Sequence, residues 1–440
     1  MTKIRIMPLF SNNRAISEFR AWALQHAIRL DLPLQSGRNL TRLAVLDQSI
    51  ANKRIVYLGE PDHFIHEKYG YRLLMLRYLV SRGWNRVGEE MGIVDGHRIN
   101  KYLETGDSDH LERAPIYGYK GGQRTDRDDS ATGLLKDSFT SFPLDVFNAE
   151  QKSFARSLRE IANSYSPRIR FFGFDIDALP GAGYEDLAEM LAPAADNPSV
   201  AKILSALARV PDETRVAEVT RLDLAIQMID ADLAVLRQHI GSANAASVAR
   251  FARALRDSFH YTQSAYPASD WPALNVAMGL REETMHRNVT AQLAESGSDS
   301  KTVLMSHNLH LAKAYDRIKR NFGAGPGGGR VPALGTFLNH LMPGQIYSIW
   351  MLCNRGCDCQ PFSFCTCDIK PAADSLNFIL SEIAPALILP LSAEHSPLPN
   401  LLLDSKALIK MDGQPGVRAA IVEQADAIFF IDEVSPLRAA

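Results

Sequence analysis

The chain has 440 residues, with 48 Lys plus Arg against 50 Asp plus Glu and a formal net charge of -2. Near balance leaves no electrostatic footprint for nucleic acid or an acidic membrane surface, which argues against a polyanionic partner. No apolar run reaches membrane-spanning length, and the start, MTKIRIMPLFSNNRAISEF, lacks the apolar core and small-residue cleavage site of an export signal, so the expectation is a soluble cytoplasmic protein.

In chain order, helices are expected over residues 15–29 and about 40–50, packed at the edge of the core. Residues 54–58 (RIVYL) read as a buried strand that stops at Gly59-Glu60-Pro61-Asp62-His63. Tyr69, Leu73, Leu76 and Val80 then recur at helical spacing, predicting an amphipathic helix. Arg72 falls inside that apolar stripe, where a guanidinium needs an anion, since an unpaired buried charge costs several kcal/mol or more. Glu60, Glu89, Glu90 and a substrate oxyanion are the candidate partners; a side chain that merely snorkels past a short helix is the alternative. Residues 85–89 enter a second strand that ends in Glu89-Glu90.

A helix over 95–105 follows, with Asp95 as N-cap. Residues 115–143 lose periodicity and read as a lid, a binding loop or disorder, and Gly121-Gly122 has no helix start in register for a phosphate loop. Helical spacing returns over 145–164, and residues 168–174 (RIRFFGF) form a third strand that ends in Asp175. From 183 to 296 the pattern is helical, predicting an inserted all-helical subdomain; Asp223, Asp230 and Asp232 there read as a solvated face before a ligand row. Residues 302–305 give a fourth strand running into Ser306-His307-Asn308-Leu309-His310, whose two histidines suit a metal, a base or helix caps. A glycine-rich loop at 323–329, a strand at 345–352 and a last short strand at 427–430 complete the pattern.

Cys353, Cys357, Cys359, Cys365 and Cys367 all fall in one segment. Without an export signal disulfides are disfavoured, yet the spacing C-x3-C-x-C-x5-C-x-C matches no standard zinc pattern. A structural zinc or other soft metal, reduced thiols and local disulfides stay open, in a loop apart from the active centre.

Strands alternating with helices imply an α/β fold with a largely parallel central sheet flanked by helices. The expected organisation is a first core part at 1–182, the helical insertion at 183–298, and a second core part at 299–440 carrying the Cys-rich loop 353–367. Such sheets bind ligands beyond the carboxyl ends of their strands, so Glu60, His63, Glu90, Asp175, His307 and His310 are expected to share a rim.

Gly59-Glu60-x-x-His63-Phe64, the Glu67 and Arg72 that follow, Glu90, Gly173-Phe174-Asp175, Arg281 and Asn288, His307-Asn-x-His310, and the ending Asp426 to Asp432 together resemble the erythromycin esterase family. The resemblance implies a metal-independent hydrolase that opens a macrolactone ester and requires no cofactor. It makes His63 the general base, Glu60 its orienting carboxylate, and Arg72, Glu90 and His307 further members of the cleft, with His310, Glu67 and Asp175 on the substrate. Asp62 departs from the family's usual small residue, and the cysteine segment has no counterpart.

The residues support this chemistry separately. There is no serine in a G-x-S-x-G elbow, and no cysteine ends a strand beside histidine, so water activated by histidine is the remaining attacker. Arg72 is expected at the developing oxyanion, a contribution of roughly 3 kcal/mol elsewhere. Three rivals stand beside it: Glu60, His63, Glu90 and His307 as zinc or manganese ligands, a haem-binding protein without catalysis, and acyl transfer or cyclisation of a natural product.

Overall fold

A computed structural model describes residues 10–112, 144–176, 183–208, 210, 214–265, 271–297, 299–320, 329, 331–360, 365–392, 397–411 and 416–438. The chain packs as two compact units, the first from residues 1–85, 299–323 and 332–440, the second from 86–298 and 324–331. The aperiodic segment 115–143 and most of the glycine-rich loop lie outside the described residues. No helix among the described residues is long and apolar enough to cross a membrane.

In the first unit, α1 (Phe10–His26) leads into the two-residue strand β1 (Ile28–Arg29), which sequence had placed inside a helix. The main strands are β2 (Ile55–Glu60), β5 (Thr302–His307), β6 (Ile346–Gln360), β8 (Ala386–Pro390) and β11 (Ala427–Val434). They lie in the order β1-β8-β11-β6-β2-β5. β11, β6, β2 and β5 run parallel to one another, whereas β8 is antiparallel to both β1 and β11. β9 (Leu408–Ile409) and β10 (Val417–Arg418) form a separate antiparallel pair. Every residue of β2 and β5 is buried, as parallel strands covered on both faces require.

β2 and β5 both outrun their apolar stretches. The parallel ladder continues through Gly59 opposite Ser306 and Glu60 opposite His307, so backbone pairing carries two polar side chains into the sheet edge. Gly59 leaves room for the Asn308 side chain, since a Cβ would lie 2.2 Å from its Oδ1. The core of this unit gathers Phe19 and Trp22 of α1 with Trp350, Leu352, Leu387, Leu389, Ile428 and Phe430. Each such side chain contributes roughly 1.5–3 kcal/mol on burial.

Helix α2 (Glu67–Val80) follows β2 and differs from its expected amphipathic character. Tyr71, Leu74, Met75 and Tyr78, on the face that the stripe left for solvent, are as buried as the stripe itself. Tyr71 packs its ring 4.5 Å from Phe429 of β11, and the hydroxyl of Tyr78 donates to Asp47 at 2.7 Å. A helix buried on nearly all sides belongs in a core, and its charged Lys68 and Arg72 are buried with the rest.

The described residues of the cysteine segment are strand, not loop. β6 runs on through Cys353, Cys357 and Cys359 and pairs antiparallel with β7 (Cys365–Ile369). Across that hairpin Cys357 faces Asp368, Asp358 faces Cys367, Cys359 faces Thr366 and Gln360 faces Cys365, so no cysteine is paired in register with another. Cys353 and Cys357 are free thiols. Burial first, then Asp368, pushes the Cys357 thiol up. The side chains of Cys359, Cys365 and Cys367 lie outside the described residues.

In the second unit, β3 (Arg86–Gly92) and β4 (Arg170–Asp175) run parallel, with a register shift between Glu89 and Gly92. α3 (Ile93–Thr105) takes Gly92 as its N-cap, so Asp95 lies inside the first turn, 3.6 Å from Arg98, instead of capping it. α3 crosses β4 closely, because a Cβ on Gly96 would come within 1.9 Å of the Gly173 nitrogen. α4 (Leu144–Ser164) precedes β4. Helices occupy Tyr184 to Glu295, among them α5 (Ser242–Ala265) and α6 (Trp271–Glu295), around a core that includes Leu187, Ile203, Leu222, Ile229, Leu236 and Phe251. Asp223 and Asp230 pair with Arg256 and Arg253 of α5 at 2.8 and 2.6 Å.

Candidate active site

At the end of β2 the chain turns through Pro61, Asp62 and His63. Asp62, buried at 2%, accepts the Phe64 N–H at 2.7 Å and fixes that turn. The turn brings Nδ1 of His63 to 2.7 Å from Oε1 of Glu60. Glu60 is 1% exposed and His63 29%, so the carboxylate lies behind the ring.

Three cationic or polar groups keep Glu60 ionised. Arg72 reaches Oε2 at 2.8 Å, Lys68 lies 3.6 Å from Oε1, and His63 completes the set. Burial pushes the carboxyl up, but Arg72, then Lys68 and His63, outweigh it and hold Glu60 at about 2. The anion that Arg72 needed is therefore Glu60. At 2% exposure the guanidinium backs the carboxylate.

His307 stands beside this pair, its ring centroid 5.5 Å from that of His63. The Leu309 N–H donates to its Nδ1 at 3.2 Å, which puts the ring proton on Nε2, and Nε2–H donates to the Pro61 carbonyl at 3.1 Å. His307 thus braces β5 against the 60–63 turn. His310 is 5% exposed, and its carbonyl accepts the Gly335 N–H at 2.7 Å. Glu67, placed on the substrate by sequence, gives both carboxylate oxygens to Ser435, to its N–H and its hydroxyl, each at 2.7 Å. It tethers the chain's last segment to α2.

Glu90 and Asp175 belong to the second unit. Arg281 of α6 donates to Asp175 through Nε at 3.0 Å and to Glu90 at 2.5 Å. Burial works against its charge, and Asp175 and Glu90 more than offset that, raising Arg281 well above its ordinary value. Asn288, two helical turns on, donates to the Phe174 carbonyl at 3.0 Å. Glu89 turns the other way and accepts from Gln151 at 3.1 Å. No group of three or more His, Cys, Asp or Glu among the described residues is placed to hold a metal ion.

Lys68 was missed by sequence reasoning. It lies four residues before Arg72, so the two share a helix face, and that spacing was the available signal.

A sequence profile of the erythromycin esterase family matches residues 80–434. The chain belongs to the erythromycin esterase family. The matched span begins after Glu60, His63 and Arg72, so the geometry of that turn is an independent observation. Erythromycin esterase type I of Escherichia coli is 27% identical over 285 residues, 61% of this chain and 64% of that relative, so the alignment spans just under two thirds of the relative's length. Three solved structures share the fold. A Bacillus cereus protein superposes with a TM-score of 0.67 at 16% identity, covering 97% of this chain and 99% of that one. A succinoglycan biosynthesis protein gives 0.64 at 17%, covering 99% and 100%. The erythromycin esterase EreC, a mutant in its open conformation, gives 0.60 at 18%, covering 90% and 94%. The mixed α/β architecture with a mostly parallel sheet is thus the erythromycin esterase fold.

Proposed function

We propose that this member of the erythromycin esterase family hydrolyses an ester or lactone of a small natural product, with water activated by His63. The observation that carries the reading is the contact at 2.7 Å between Glu60 and His63 at the end of β2, with Glu60 kept ionised by Arg72 and Lys68. A buried carboxylate on Nδ1 holds the imidazole in one tautomer and supports its protonated form. Proton transfer then falls to Nε2.

As the water oxygen bonds to the carbonyl carbon, Nε2 takes its proton and the carbonyl becomes an oxyanion. Collapse breaks the carbon–oxygen bond of the ester, and the departing alkoxide recovers the proton from Nε2, giving acid and alcohol. Arg72 acts through Glu60 in this scheme. The role expected for it on the oxyanion gives way, because its guanidinium is 2% exposed and faces the carboxylate. No cofactor and no macromolecular partner enter the steps.

The reading is tested by screening esters, lactones and amides in H₂¹⁸O. Hydrolysis places one ¹⁸O in the product acid. Product free of label identifies acyl transfer or cyclisation and overturns the proposal.

A further inference from the structure

Lys68 occupies a costly position. Its side chain is 4% exposed, it is the second residue of α2, where the helix dipole disfavours positive charge, and it shares a face with Arg72. Its ammonium meets two groups of the proposed catalytic turn. It donates to the backbone carbonyl of His63 at 2.5 Å and lies 3.6 Å from Oε1 of Glu60, the same oxygen that contacts Nδ1 of His63. Its Nζ also lies 5.0 Å from the ring centroid of Tyr69.

We propose that Lys68 is a positioning residue for His63. It ties the backbone of the base to the carboxylate that orients its ring. The consequence is geometric. Arg72 reaches Oε2 and fixes one end of the carboxylate. Lys68 bridges the first residue of the Glu-x-x-His turn to the last, so the backbone and the ring of His63 are held by groups that share one carboxylate. Removing the ammonium frees the His63 carbonyl and lets the ring swing on Glu60. The inference rests on His63 being the base, and it deepens that reading.

The test has one arm independent of activity. In protein labelled with ¹⁵N-histidine, the Nδ1–H of His63 held by Glu60 gives a ring-proton signal identified by its loss in His63→Ala. The proposal expects Lys68→Met to broaden that signal and to speed its exchange with solvent about tenfold, and Lys68→Arg, which keeps donor and charge, to restore it. On an ester turned over by the wild type, Lys68→Met should lower kcat about tenfold with KM within about twofold, the pattern of a misplaced base. If Lys68→Met does not fold, Lys68→Gln, neutral and shorter, is read in its place with the same expected loss. An unchanged proton signal in a folded variant of lowered melting temperature overturns the proposal, leaving Lys68 a purely structural ion. Should no ester be turned over by the wild type, the esterase reading fails while the spectroscopic arm still decides for or against Lys68.

Discussion

Oε1 of Glu60 lies 2.7 Å from Nδ1 of His63, with the carboxylate 1% exposed and the imidazole 29%. One partner is sealed in the sheet edge and the other is open to solvent. In the proposed mechanism that asymmetry separates the orienting group from the reacting one. It arises because β2 stays in the ladder with β5 for two residues beyond its apolar run, carrying Glu60 inward opposite His307.

Replacing the carboxylate tests its role. Glu60→Gln should lower kcat by roughly 10²–10⁴-fold, since an amide can fix the wrong tautomer, and should cost about 3–5 kcal/mol by leaving Arg72 and Lys68 buried without their anion. Glu60 titrates at about 2 instead of 4.5, so its pairing stabilises the fold fully above the upper value and is lost as pH falls through the lower one. Urea titrations across that window should show the wild type losing stability with acid and the variant lacking that component. Equal slopes would show that Glu60 is not held ionised by its neighbours.

Arg72→Lys separates packing from catalysis. An ammonium keeps the charge but loses the planar fork, so the melting temperature should fall while kcat per folded molecule drops less than in Glu60→Gln. A large loss of kcat/KM at unchanged melting temperature would instead return Arg72 to the reacting centre.

His97 predicts a pH dependence in the second unit. Burial, then Lys101, brings its titration down from 6.5 to about 4. The unfolded chain therefore takes up this proton at higher pH than the folded one. The associated stability is complete above 6.5 and declines as pH falls toward 4. His97→Gln should flatten the wild-type decline between those limits, as followed by chemical denaturation. A variant with the wild-type slope would assign the decline to other groups.

Gly96→Ala should be strongly destabilising. The new Cβ would meet the Gly173 backbone at 1.9 Å, and backbone cannot swing aside as a side chain can. A loss of about 3 kcal/mol or failure to fold is expected, measured by thermal melting. An alanine variant of wild-type stability would mean that α3 does not press on β4 this closely.

Much of this fold is legible from residue pattern, because strands such as 54–58 and 302–305 are apolar runs with sharp polar ends. Their true ends were not legible, since Glu60 and His307 stay in the ladder through backbone bonds that side-chain polarity does not report. α2 misled for the opposite reason: Tyr71, Tyr78 and Lys68 satisfy their polar atoms inside, so polarity did not mark a solvent face. Arg72 was readable as a buried cation in need of an anion, but only geometry chose Glu60 among its candidates. Glu67 shows the limit of motif reasoning, because its partner, Ser435, is 368 residues away.

The most direct test is kcat/KM of His63→Ala against wild type on whichever ester or lactone the wild type hydrolyses, with melting temperature measured on both. His63 is half-exposed, so the fold should persist while kcat/KM falls by about 100-fold or more. A folded His63→Ala protein with near wild-type turnover would contradict the assignment of His63 as the base.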